Sequence, residues 1–141
     1  MGSASDEGVM AKATAILDEL GIAHEMVVSS AHRNPKRTAA WASEAADRGF
    51  KVLIAGAGLA AALPGVVAAH TTLPVIGVPI ASGALNGVDS LYSIVQMPPG
   101  IPVATVGIDN SRNAAVLAAE IIALSDADVA AALKRYRDQW N

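Results

Sequence analysis

The 141-residue chain contains no cysteine, which excludes disulfides and thiolate chemistry. Charge is scarce as well. Charged residues make up 16% of the chain, against roughly 25% in an ordinary soluble domain. No basic stripe is present and the pI is about 5.5, so nucleic-acid binding is not expected. No run of about 20 apolar residues escapes Gly, Pro or polar breaks, so no membrane span is expected. No secretory signal precedes the first motif, and a cytoplasmic protein is the expectation. With 52% hydrophobic residues and a net charge of -3, the chain is too apolar to be disordered. Its length suits one domain covering residues 1–141.

What charge there is sits at the two ends. Residues 1–50 hold five Lys/Arg and seven Asp/Glu, whereas residues 52–111 hold no Lys or Arg and only Asp89 and Asp109. A 14.3 kDa monomer should expose roughly 6,800 Å². Sixty nearly uncharged residues are hard to hide inside so small a body, so a homo-oligomer is expected to cover part of them. An Ala/Gly-rich core under a neutral surface is the alternative.

Helical and extended patterns alternate. Ser5-Asp6 can cap a first helix, in which Val9, Met10, Ala13, Ile16, Leu17 and Leu20 recur at helical spacing and which Gly21 ends. Residues 23–29 read as a strand. Asn34-Pro35 opens a second helix. Residues 51–55, 74–78 and 102–106 read as buried parallel strands, the first followed by a Gly/Ala-rich turn. Helices are expected around 64–71, after Asn86-Gly87, from Asn113 to Leu124 and over about 126–140. The alternation implies an α/β three-layer fold with a mostly parallel sheet and helices on both faces. A doubly wound unit normally opens with a strand. This chain opens on a post-strand loop, so its first strand is expected to be missing. In such sheets, ligands gather at the carboxyl ends of the strands.

Four segments there could carry chemistry. Gly2-Ser3-Ala4-Ser5-Asp6 stands at a helix N-terminus, where backbone N–H groups favour an anion. Ser3 and Ser5 could donate to phosphate. Asp6 would repel one and suits a sugar hydroxyl, while plain capping also explains all three. Ser30-Ala31-His32-Arg33 joins a strand end to a helix start. Arg33 suits phosphate and His32 suits proton transfer, although a structural histidine is the simpler alternative. Gly and Ala at 55–58, including Ala57 and Gly58, would let backbone amides approach a planar ligand, or simply pack two layers closely. This segment completes neither a P-loop nor a dinucleotide fingerprint. The polar loops at 82–90 and 96–100 are candidate site walls or subunit contacts. His24 and His70 lack neighbours at metal-ligand spacing, and no Ser/His/Asp triad is recognisable.

Taken together, these motifs resemble the N5-carboxyaminoimidazole ribonucleotide mutase family of purine biosynthesis. The resemblance runs from Gly2 to about Leu124. It rests on Gly-Ser-Ala-Ser-Asp (2–6), Ser-Ala-His-Arg (30–33), Ala-Gly-Ala-Gly (55–58), Leu-Pro-Gly (63–65) and Pro-Val-Ile-Gly-Val-Pro (74–79). It also rests on the block Gly-Val-Asp-Ser-Leu-Tyr-Ser-Ile-Val-Gln-Met-Pro (87–98) and on Asn-Ala-Ala-Val-Leu-Ala-Ala (113–119). A generic flavodoxin-like nucleotide binder would leave the 87–98 block unexplained. The Ala-Gly-Ala-Gly form resembles the mutase class rather than the class that carboxylates the ribonucleotide directly with CO₂.

The resemblance implies a flavodoxin-like fold and a homo-octamer with sites at subunit boundaries, the 125–141 helix packing on a neighbour. It further implies an isomerase that needs no cofactor or metal and moves a carboxylate from the exocyclic nitrogen to ring carbon C4. His32 would be the general acid/base. Ser3, Ser30 and Arg33 would meet the phosphate and Asp6 the ribose, with Ser5, Ala57, Gly58 and Leu63 as further substrate contacts. The family usually carries a histidine where this chain has Ala62. A catalytically impaired ribonucleotide-binding or structural subunit therefore stands as the alternative.

Overall fold

The computed structural model describes residues 1–140. Three strands form one parallel sheet in the order β1 (Leu53–Gly58), β2 (Val75–Ile80), β3 (Ala104–Thr105). Among the described residues six α-helices surround it: α1 (Glu7–Glu19), α2 (Pro35–Glu44), α3 (Leu63–Ala69), α4 (Val88–Val95), α5 (Ser111–Ala123) and α6 (Ala127–Asp138). Their ends carry the expected local signals. Asn34 Oδ1 accepts the Arg37 N–H at the start of α2, and Pro35 fills its first turn. Asn110 and Asp126 cap α5 and α6 through their side chains, and Gly21 takes a left-handed φ of 70° after α1.

Strand alternation divides the core into two layers. Leu53, Ala55 and Ala57 pack with Ala42 of α2, Leu63 and Val67 of α3 and Ile94 of α4. On the opposite face, Ile76, Val78 and Ile80 pack on Met10 of α1 and on Ala114 and Ala118 of α5. Helix α6 buries Val129 in a cluster with Leu17, Leu20, Ala115 and Ala119 of its own chain. The expected three-layer α/β arrangement is present.

Three strand assignments need correction. The Gly/Ala block expected as a turn after residue 55 is strand: Ala55, Gly56, Ala57 and Gly58 pair in parallel with Gly77, Val78, Pro79 and Ile80. Small side chains allow the helices to close on the sheet there. A Cβ on Gly56 would collide with Met10 Sδ, and one on Gly77 with Ile94 Cγ2. Residues 23–29, expected as a strand, form no ladder. A strand has no local hydrogen bonds and needs a neighbour. This segment has only Met1, whose N–H donates to Val27 O and whose carbonyl accepts from Ser29 N, both at 2.9 Å. Side chains hold it instead. Glu25 accepts from Trp41 Nε1 (3.1 Å) and from Arg48 Nη2 (2.7 Å), and the Ser29 and Thr38 hydroxyls meet at 2.8 Å in the core. The strand expected over 102–106 is likewise only Ala104–Thr105, since Pro102 has no N–H to give a ladder. Total exposed area is 7565 Å², above the roughly 6,800 Å² that size alone implies.

Two predictions follow from this packing. Gly77→Ala should force Ile94 and Val103 aside and lower stability by roughly 1–3 kcal/mol, read as an earlier urea midpoint. The hydrogen bond from Arg48, then that from Trp41, holds the Glu25 carboxyl below its usual range. A carboxyl lowered in the folded state stabilises above its unfolded value, and that gain is lost as pH falls through the folded value. Glu25→Gln should therefore flatten the acid limb of a thermal-midpoint profile measured from pH 7 to pH 3.

Candidate functional site

The carboxyl end of β1 meets two loops through one residue, Gly2. Its N–H donates to Gly56 O (3.2 Å), and its carbonyl accepts from Arg33 Nη2 (3.1 Å). The 2–6 loop, the 30–33 turn and the end of β1 are thus tied together. A carbonyl takes one guanidinium N–H and leaves most of the five Arg33 donors to other acceptors. Ser30 Oγ accepts the Arg33 N–H (3.2 Å), and Ser30 O accepts the Asn34 N–H (2.8 Å). The turn carrying His32 is therefore closed by backbone and hydroxyl contacts. His32 itself is exposed and makes no hydrogen bond among the described residues.

At the head of α1, Ala4–Asp6 form a 3₁₀ turn with a capping box. Ser3 Oγ accepts from Ser5 N (3.4 Å), and Asp6 Oδ2 accepts from Ser3 N (3.1 Å). Ser5 Oγ lies 2.9 Å from Ser3 Oγ and 3.2 Å from Asp6 Oδ1, so its single proton serves one of them at a time. Capping is thus a real role of Ser3 and Asp6. It still leaves the Ser3 hydroxyl proton free to donate, because Ser3 Oγ acts here only as acceptor.

The segment after β1 is strained. Leu59 (φ 53°) and Ala61 (φ 39°) are left-handed without being glycine, at a cost of roughly 1–2 kcal/mol each. Ala61 is buried and its N–H donates to Gly58 O (3.0 Å). Ala62 follows at the start of α3 and gives no side-chain cap. Gly58 sits where two strand ends approach, since a Cβ there would lie 3.1 Å from Ile80 O. Ala57 and Leu63 are buried, and Leu63 lies in the core beside Val67. Any contact from Leu63 to a ligand falls to its backbone.

The structure brings Ser3, Ser5, Asp6, Ser30, Arg33 and the 56–58 backbone to one end of the sheet. A cavity of about 580 Å³ lies elsewhere, beside residues 21–27 and 48–54, and is lined by none of these site residues. Among the described residues no group of three His, Asp or Glu side chains could hold a metal ion.

Two features of this end of the sheet escape sequence reasoning. The first is the bridging backbone of Gly2. The second is Asp109, which holds the end of β2. Its Oδ1 accepts from Ala81 N (2.9 Å), and its own N–H donates to Pro79 O (2.8 Å). One of only two acids in the 52–111 stretch was the available signal. Asp89, in the first turn of α4, keeps Oδ1 buried without a hydrogen-bond partner.

Comparison with known proteins adds to this geometry. The family model for AIR carboxylase matches residues 1–141. The N5-carboxyaminoimidazole ribonucleotide mutase of Pyrococcus abyssi is 58% identical over 138 residues, 98% of this chain and 79% of that protein. The corresponding mutase of Thermotoga maritima is 53% identical over 139 residues, 99% of this chain and 81% of that protein. Phosphoribosylaminoimidazole carboxylase of Schizosaccharomyces pombe is 54% identical over 138 residues, 98% of this chain but only 25% of that much longer protein. The crystal structure of Treponema denticola PurE superimposes with a TM-score of 0.88 at 32% identity, covering 99% of this chain and 87% of that one. The chain belongs to the AIR carboxylase family.

Proposed function

We propose that the chain is a mutase of de novo purine (IMP) biosynthesis that interconverts N5-carboxyaminoimidazole ribonucleotide and 4-carboxy-5-aminoimidazole ribonucleotide. The observation that carries this reading is the junction at Gly2, which places Arg33, the Ser3 hydroxyl and the end of β1 side by side. That grouping offers cationic and hydroxyl donors for a phosphate, a carboxylate for ribose, and small backbone for a flat base. The mutases of similar sequence support the choice of reaction.

The chemistry balances without a co-reactant. The carbamate C–N bond breaks and releases CO₂, and the exocyclic nitrogen gains a proton. Ring carbon C4 then adds to the retained CO₂ and loses its own proton. His32 serves both transfers, giving a proton to nitrogen and taking one from C4. Such proton transfer is typically worth about 10²–10⁴-fold in rate. Ser3, Ser30 and Arg33 bind the phosphate, Asp6 the ribose, and the 56–58 backbone lies along the base, excluding water from CO₂.

The reading includes assembly into a homo-octamer. Val88, Tyr92 and Val95 make an exposed apolar stripe on α4, continued by Leu85, with Tyr92 58% exposed. A homo-octamer would cover that stripe and wall the site, with the 125–141 helix against a neighbour and the exposed Trp140, just beyond α6, available to the contact. The reading places the protein in the cytoplasm; among the described residues no helix is long and apolar enough to cross a membrane. A second reading keeps ribonucleotide binding and assembly but not turnover. Ala62 favours it, since it presents only a methyl at the uncapped start of α3.

An ultraviolet interconversion assay separates the two. The parent chain should turn over, His32→Asn should lose about 10²-fold or more while still binding ribonucleotide, and Arg33→Ala should weaken binding by roughly tenfold or more. A silent parent revived by Ala62→His would establish the second reading. Light scattering should give a mass near eight subunits, and a single-subunit mass would remove the assembly argument.

A further inference from the structure

Leu59 goes against both burial and backbone preference, immediately after the strand on which the site is built. Side chains alternate along β1, and Ala55 and Ala57 lie in the buried layer with Leu63 and Val67. Residue 59 falls next in that series, where burial would suit an isobutyl group. Instead Leu59 takes a left-handed φ of 53°, which is costly for any residue with a Cβ, and it is 52% exposed. Ala61 fills the buried place beside Leu63. The backbone thus bears strain while a large apolar group is held in the open. Such local cost collects where a side chain serves a site.

The neighbours of Leu59 set its direction. Gly83, in the loop after β2, is itself left-handed (φ 65°), and a Cβ there would lie 2.9 Å from Leu59 Cδ2. Leu59 therefore bridges the loops that leave β1 and β2, at the level where Gly58 approaches Ile80 O. It is the first side chain beyond the 56–58 backbone. Neither residues 59–62 nor residues 81–86 include a charged side chain.

The proposed reaction makes a demand that this group meets. Once the carbamate C–N bond has broken and the nitrogen has taken its proton, CO₂ is held only by its surroundings. CO₂ has no net dipole and no hydrogen to donate, so apolar surface that excludes water retains it better than polar groups do. Escape at that stage leaves free 5-aminoimidazole ribonucleotide, and C4 is not carboxylated. The 56–58 backbone brings only one methyl, that of Ala57, and this is packed into the core.

Resting on the mutase reading, we infer that Leu59 is the apolar cover that keeps CO₂ beside the ribonucleotide between decarboxylation and recarboxylation. Its left-handed backbone turns the isobutyl group out of the core and across the carboxyl ends of β1 and β2. The same position built for stability alone would carry glycine or asparagine.

The test follows conversion of N5-carboxyaminoimidazole ribonucleotide in the presence of isotope-labelled CO₂. It measures free 5-aminoimidazole ribonucleotide released per 4-carboxy product, corrected for spontaneous decarboxylation, and label in that product. Leu59→Asn keeps the size, suits the left-handed backbone and replaces methyls by an amide. It should release at least about tenfold more free ribonucleotide per product, with label entering to match. Leu59→Ala should leak equally, and Leu59→Met, which restores apolar bulk, should stay within about twofold of the parent. The Asn chain should melt roughly 2 °C or more above the Ala chain, because Ala keeps the strain. Parent-like coupling in the Asn and Ala chains would overturn the inference and leave the mutase reading in place. Leakage accompanied by a fall in solution mass would also overturn it, since Leu59 would then act through subunit contact. A parent that makes no 4-carboxy product would overturn the mutase reading and this inference together.

Discussion

Six residues of β1 pair flush with six of β2, Leu53 with Val75 through to Gly58 with Ile80, and most of the molecule is arranged around that ladder. Its flanking layers can come close only because Gly56 and Gly77 present no side chain. Met10 rests over the first and Ile94 over the second. An added methyl would press on Ile94 and Val103 at Gly77 and on the Met10 side chain at Gly56. The same pairing brings the carboxyl ends of both strands level. Gly58 there approaches Ile80 O, and Asp109 secures Ala81.

From that level edge the site inherits its geometry. Gly2 hydrogen-bonds in two directions, to Gly56 and to Arg33, and so converts strand position into loop position. The charged residues proposed for the site, Asp6, His32 and Arg33, all come from the first fifty residues. The uncharged middle supplies sheet, core and the apolar stripe of α4. Low charge across residues 52–111 thus has a structural cause: a methylene-rich surface and a small-residue strand both exclude ionic side chains, which cost too much to bury unpaired.

Much of this was legible in the chain. The helices were readable because their signals are local: Asn34-Pro35, Gly21 and the Val9–Leu20 periodicity each act within a turn or two. The loops at 2–6 and 30–33 stood out because Ser3, Asp6, Ser30 and Arg33 are polar residues at expected helix starts, and their substrate contacts belong to the proposed function. The 55–58 block was not. Gly and Ala next to a strand read as a turn, and only the opposing residues 77–80 show that they pair. Residues 23–29 failed in the opposite way. Their pattern suits a strand, but propensity supplies no hydrogen-bond partner, and Met1 alone cannot build a ladder.

Composition, caps and periodicity by themselves determined the fold class, the helix ends and the two-faced burial. Tertiary structure alone decided which backbone edges found partners, which left-handed residues the loop at 59–61 had to accept, and that Gly2 joins three segments into one site. The division has a physical reason. A helix satisfies its N–H and C=O groups within a few residues of sequence, whereas a strand must find its partner at a distance that no local pattern encodes.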